Sequence, residues 1–314
     1  MTRHVLLLIA LLASACSSLT PSTGELGRAR FVWSEGLACI LGCDAAEAVA
    51  QGAQVDLLVT NDDDLPSFTA SSEDASVLGV SHTTGSAAIG LLGVAPGSAR
   101  VLLREAGGAE LDRFPVRVRT ADRLALVSPE TQSRLLVMQG GTATLQLDLT
   151  AGGDRLVGYG AVTYALGGAL TASQVEVGAI GPGLGRLLVG TATELAFVNA
   201  VATGTGTLDA SAAGGASFSV PLEIVDASAV ATITLELDPD DSDRASLRAV
   251  ARAGDGEEIH GPQCAWTIDP PSGPLSLSVA TGPFTDVVAT AAGQATVTCT
   301  IGTQSASTSV SLAP

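Results

Sequence analysis

Gly293-Gln294-Ala295-Thr296-Val297-Thr298-Cys299-Thr300-Ile301 carries an apolar residue at every second position, with glutamine or threonine between them. A period of two is the mark of a β-strand with one buried face. Cys264-Ala265-Trp266-Thr267-Ile268-Asp269 has the same parity, with Cys264, Trp266 and Ile268 on one side. Both cysteines therefore point into a core from strands expected to be neighbours. Paired strands hold opposite Cα atoms about 4.5–5.5 Å apart, within reach of a disulfide.

The glycine-led opening of that strand recurs at Gly97-Ser98-Ala99-Arg100-Val101 and Gly204-Thr205-Gly206-Thr207-Leu208. An alternating strand lies upstream of each copy, at Gln54–Val59, Thr142–Leu149 and Ala245–Ala251, and a last strand closes each, at Pro115–Arg119, Ser219–Ile224 and Ser307–Leu312. Beyond residue 30 no window keeps a helical period. The chain thus reads as all-β, a tandem of antiparallel sandwiches of about 100 residues each. The expected division is 31–120, 121–225 and 226–314, with boundaries near Thr120 and Val225. The second copy carries a glycine-rich insertion, Gly178 to Gly190.

In the first copy, Gly52-Ala53-Gln54-Val55-Asp56-Leu57-Leu58-Val59, Ala70-Ser71-Ser72-Glu73-Asp74-Ala75-Ser76-Val77-Leu78 and Gly93-Val94-Ala95-Pro96-Gly97-Ser98-Ala99-Arg100-Val101 follow in order. This succession resembles the group 2 bacterial immunoglobulin-like domains. The resemblance covers residues 45–119 well and the later copies in outline. It implies immunoglobulin-like sandwiches of the kind found in stalks, adhesin modules and carbohydrate-associated modules. It specifies a fold rather than an activity.

The N-terminus gives an address. Met1-Thr2-Arg3-His4 is a short basic region, Val5 to Ala13 is apolar but too short to span a bilayer, and Ala13-Ser14-Ala15 precedes Cys16. The arrangement resembles the signal peptide (1–15) and lipobox of bacterial lipoproteins, although Ala13 stands where leucine is usual and Leu12 lies one residue earlier. That resemblance implies an acylated Cys16 as the mature N-terminus and an envelope lipid anchor. Ser17 in place of Asp favours the outer membrane of a Gram-negative cell, facing the periplasm or the surface. An ordinary secretory cut after Ala15 is the alternative. Cysteine arithmetic favours the anchor: with Cys16 lipidated, Cys39, Cys43, Cys264 and Cys299 can all pair in an oxidising compartment. An extended strand would separate Cys39 from Cys43 by about 13 Å, so their pairing needs a turn, which Gly42 permits. Residues 16–30 read as a flexible tether.

Composition narrows function. Of 314 residues 46% are hydrophobic, 3% aromatic and 15% charged, a balance foreign to disordered chains and coiled coils. All 15 basic residues are arginine, and the net charge of −17 repels nucleic acid. Beyond the leader only His82 and His260 can act as imidazole bases. His82 is expected in a solvated loop. No catalytic motif is present, and Gly181-Pro182-Gly183-Leu184-Gly185 lacks the spacing of a phosphate loop. With Lys absent and aromatics scarce, no catalytic residue is assigned and no hydrolase activity is expected.

Metal ligation has two candidates. Asp255, Glu257, Glu258 and His260 offer carboxylate and imidazole together, against a hairpin turn at Asp255-Gly256. Asn61-Asp62-Asp63-Asp64 is acidic, as are Asp238, Asp240, Asp241 and Asp243 around Ser242. The second run has part of a calcium loop's spacing, but Asp243 stands where the turn wants glycine and Ala249 where a bidentate Glu belongs. Calcium between tandem sandwiches stays open beside the reading of solvated loops with no cofactor. The expected protein is a non-catalytic structural, binding or adhesion module with an envelope protein or polysaccharide as partner. A calcium-stiffened adhesin stalk is the alternative, followed by an accessory carbohydrate-binding or hydrolytic protein.

Overall fold

The computed structural model describes residues 22–33, 43–44, 47–60, 66–129, 133–180 and 194–313. Their regular structure is strand apart from one 3-10 turn, Ala227–Ala229. Grouped by the division expected from sequence, the first unit holds β1 (Ser22–Thr23), β2 (Arg30–Trp33), β3 (Cys43–Asp44), β4 (Ala48–Ala50), β5 (Gln54–Thr60), β6 (Phe68–Ser72), β7 (Leu78–His82), β8 (Ala88–Gly93), β9 (Gly97–Glu105) and β10 (Glu110–Arg119). The second holds β11 (Arg123–Ser128), β12 (Leu135–Met138), β13 (Thr142–Ala151), β14 (Asp154–Val157), β15 (Val162–Gly168), β16 (Val175–Ala179), β17 (Glu194–Ala200), β18 (Gly204–Ala212) and β19 (Ser217–Val225). The third holds β20 (Thr232–Asp241), β21 (Arg244–Arg252), β22 (Glu258–His260), β23 (Cys264–Asp269), β24 (Leu275–Leu277), β25 (Thr281–Gly282), β26 (Phe284–Ala289), β27 (Gly293–Ile301) and β28 (Gln304–Leu312). The alternating strands read from sequence are β5, β9, β13, β18, β21 and β27. In β5, Val55, Leu57 and Val59 are buried while Gln54 and Thr60 are exposed, as a period of two requires.

The sheets are staggered against the units. One sheet, β1-β2-β5-β8-β7 with β3 on β2, belongs to the first unit, and another, β25-β23-β27-β28, to the third. The two sheets between them are shared. β16-β17-β13-β14-β4-β10-β9-β6 runs from the second unit into the first, and β15-β18-β19-β12-β22-β21-β26-β24 from the second into the third. The apolar clusters follow the sheets across the boundaries expected at Thr120 and Val225. Leu147, Leu149, Leu156 and Val157 join the first unit's core, whereas Leu136, Met138 and Val225 join the third's. Each such aliphatic side chain, once fully buried, stabilises the fold by about 1.5–3 kcal/mol.

Part of the expected tether is folded. Ser22 pairs with Phe31 and Thr23 with Arg30. Asp112, fully buried, accepts hydrogen bonds from the backbone N–H groups of Leu26 (2.9 Å), Arg28 (2.8 Å) and Ala29 (2.7 Å). Glu25 bridges Arg100 at 3.0 Å and Arg113 at 2.6 Å. A buried carboxylate without partners would be costly, so Asp112 holds this loop onto β10. Flexible composition was overridden by one aspartate, 83 residues downstream of Ala29.

Candidate functional site

Cys264 and Cys299 are joined, with Cα atoms 5.3 Å apart. The register sets Cys299 opposite Trp266, so the bridge runs diagonally between β23 and β27 rather than between directly opposed residues. Cys43 lies on β3, opposite Trp33. Cys16, Cys39, Asn61 to Asp64 and Gly181 to Gly185 lie outside the described residues.

The Asp255–His260 cluster is split by strand parity. A hairpin turn with Gly256 at φ +88° links β21 to β22. Asp255 and Glu257 turn to Arg134 of the second unit, at 2.6 and 2.9 Å, and Glu258 turns to Arg248 at 3.0 Å. His260 is largely buried, which pushes its pKa below the ordinary value, and its Nδ1 lies 3.8 Å from Glu258. The hairpin turn read at Asp255-Gly256 is thus present, and the carboxylates diverge onto two different arginines rather than converging on one point. Among the described residues no group of three or more His, Cys, Asp or Glu side chains is placed to hold a metal.

The acidic run Asp238–Asp243 forms the end of the β20–β21 hairpin. Asp238 pairs with Ser246 and Asp241 with Arg244, and Ser242 O accepts from Ala313 N at 2.9 Å. The end of that hairpin facing the second unit is Thr232–Arg252, roughly 30 Å away along nine strand positions. The backbone of this run thus lies at the end of the hairpin away from the second unit, whereas the alternative of calcium between tandem sandwiches would need it at the junction. His82 is corrected too. It ends β7, stacks on Phe68 with centroids 4.8 Å apart, and its Nε2 lies 2.9 Å from Ser86 O.

Two equivalent joints connect the units, and sequence reading missed both. In the first, β4 lies parallel to β10 of its own unit and to β14 of the next, with Val49 opposite both Val118 and Val157. In the second, β12 lies parallel to β19 and β22, with Val137 opposite Ile224 and His260. After the central strand come Gln51-Gly52 and Gln139-Gly140, whose glycines sit at φ +84° and +79°. After the partner strand come Gly158 at φ +109° and Gly261 at φ +63°. A methyl group on Gly158 would meet Ala53 Cβ at 2.7 Å and Gln54 O at 2.9 Å; on Gly261 it would meet Thr142 O at 2.8 Å. Only glycine combines that backbone conformation with so close an approach. The repeated Gln-Gly doublet was the available signal.

Each joint is also pinned by charge. At the first, Gln54 and Tyr159 exchange two backbone hydrogen bonds of 2.8 Å, Arg119 meets Asp154 at 2.8 Å, and buried Glu194 accepts from Gly160 N at 2.7 Å. Burial first, and then the Glu194 charge, push the nearby Tyr164 phenol well above its ordinary pKa. At the second, Arg134 reaches Glu223 at 3.0 Å as well as Asp255 and Glu257. Glu257 Oε1 accepts from Ser133 Oγ at 2.6 Å and Ser133 N at 2.9 Å. Hydrogen bonds from the Ser133 hydroxyl and then its backbone N–H, with Arg134 after them, hold the Glu257 pKa below the usual carboxylate range.

Beside the first joint lies a groove of about 390 Å³ on the outer face of β5, β8 and β7. Strand register sets Asp56, Gly90 and Ser81 in one row and Gln54, Leu92 and Gly79 in the next. Tyr159 from the second unit closes one end. Burial pushes the Asp56 pKa up.

No family model matches the chain, and no curated protein matches it. Among solved structures, domains 4–9 of the surface-layer protein SbsC match 93% of this chain at 17% identity and a TM-score of 0.33, with 48% of that structure covered. Invasin, a bacterial integrin-binding protein, matches 91% of the chain at 17% identity and 0.23, with 60% covered. The extracellular cadherin domains 1–4 of protocadherin gamma B7 match 85% at 13% identity and 0.21, with 74% covered. The chain spans about half the length of the SbsC structure.

Proposed function

We propose that this chain is a non-catalytic, lipid-anchored module of the cell envelope, holding a binding surface at a fixed distance from the membrane. Acylated Cys16 is the anchor, and an envelope protein or polysaccharide is the partner. The observation that carries the reading is the stagger of sheets: each joint is a parallel strand pairing, so neighbouring units cannot rotate without breaking main-chain hydrogen bonds. The group 2 immunoglobulin-like resemblance of the first unit agrees with such a role.

The polar groups also support it. His82 is committed to Ser86 and Phe68, His260 is largely buried, and Asp255 and Glu257 are bound to Arg134. Three carboxylates converge at the second joint, but the Arg134 guanidinium supplies the charge that a stiffening calcium ion would bring.

The test is fractionation of cells carrying wild type or Cys16→Ala, with mass spectrometry of the mature N-terminal peptide. Acylated Cys16 in the envelope fraction, and release or failed processing of the variant, are expected. An unmodified Cys16 at the mature N-terminus refutes the anchor. Small-angle scattering that requires freely reorienting units refutes the fixed spacing.

A further inference from the structure

The groove beside the first joint has the construction of a binding site, and its chemistry selects a ligand. Glycine at 79 and 90 leaves a trough in an otherwise side-chain-covered sheet face. A methyl group on Gly90 would lie 2.5 Å from Ser81 Oγ and 3.8 Å from Asp56 Oδ1, so both oxygens converge above that glycine. Asp56 makes no hydrogen bond or ion pair with the described residues, though it is half-buried. Partial burial penalises a carboxylate that has no counter-charge among the described residues, and a cationic partner would relieve that penalty.

Among the described residues the lining contains no basic side chain. On a chain of net charge −17, an anionic ligand would be repelled. A neutral sugar could donate to Asp56 but would leave its charge uncompensated. A cation makes the stronger, charge-assisted bond. The rest of the groove suits a cation on an apolar stem. Leu92, 40% exposed, offers aliphatic contact, and Tyr159 offers an aromatic ring. The volume lies within the range of small-ligand sites.

We propose that this groove receives a lysine or arginine side chain of a partner polypeptide, with the cationic head on Asp56 and Ser81 and the stem along Leu92 and Tyr159. The inference deepens the binding-module reading and rests on it, but not on the lipid anchor. Failure of the Cys16 test would therefore leave this one standing, and the reverse.

The experiment is a titration of the full chain followed by amide resonances of Gly79, Ser81 and Gly90. The probes are acetyl-Gly-Lys-Gly-amide, the same peptide with norleucine for lysine, spermidine and a neutral disaccharide. Saturable shifts with the lysine peptide and none with norleucine are expected. Asp56→Asn should weaken binding at least tenfold, and Gly90→Ala, which fills the trough and keeps the charge, should do the same. Spermidine binding as tightly as the lysine peptide would overturn a polypeptide partner in favour of a free amine. Saturation by the disaccharide, indifference to Asp56→Asn, or no shift with the lysine peptide would overturn the proposal outright.

Discussion

Replacing Arg134 by alanine removes the cation from the second joint and leaves three carboxylates facing one another. Its partners differ in exposure: Glu223 is 33% exposed, Asp255 49% and Glu257 only 8%. The two exposed pairs contribute about 0.2–1 kcal/mol each, and the charge-assisted bond to buried Glu257 about 1.5–3. A loss of about 2.5 kcal/mol follows. The chain has two tryptophans, Trp33 in the first unit and Trp266 in the third. In a Trp33→Phe background, urea unfolding followed by fluorescence therefore reports the third unit through Trp266. With a slope of about 1.5 kcal/mol/M for a unit this size, the midpoint should fall by roughly 1.5 M. Glu257→Gln should lower it too, and the double variant should lose less than the sum, by about 1.5 kcal/mol of coupling. A midpoint shift below about 0.3 M, or strictly additive single effects, would refute the claim that Arg134 and Glu257 tie the units together.

The remaining predictions concern the first joint, acid and the disulfide. Gly158→Val should cost about 3 kcal/mol, combining left-handed backbone strain with overlap on Ala53 and Gln54. Hydrogen exchange should show Val49 and Val157 deprotected first, whereas Gly160→Ala, with nothing within 4 Å of its new methyl group, should cost about 1–2 kcal/mol. Because the folded-state pKa of Glu257 is lowered, its contribution is complete above the unfolded carboxylate value of about 4.3 and fades as pH falls through the lower folded value. The stability gap between wild type and Glu257→Gln should therefore narrow only below about pH 4; a gap constant from pH 7 to pH 2 would contradict the Ser133 and Arg134 contacts. Changing Cys264 and Cys299 together to serine opens a loop of 35 residues and should cost about 3–4 kcal/mol in the third unit. A peptide map linking Cys264 to Cys39 or Cys43 would overturn the pairing.

Period-two patterning in β5, β13, β21 and β27 determined the all-β fold, because side-chain direction in a strand depends only on position along it. The same parity put Cys264 and Cys299 on one buried face. The net charge of −17 makes nucleic acid an unexpected partner, a reading that rests on composition alone. Tertiary structure decided everything that depends on two distant segments meeting. Arg134 meets Glu257 across 123 residues, Asp112 clamps the backbone at Ala29 across 83, and Asp56 meets Gly90 and Ser81 only through strand register. The Asp255–His260 run looked like one polar cluster in sequence, yet Asp255 and Glu257, before β22, meet Arg134 while Glu258, on β22, meets Arg248. Local pattern fixes which way each residue points, but long-range strand pairing fixes what it points at, and that pairing is set by the packing of whole sheets.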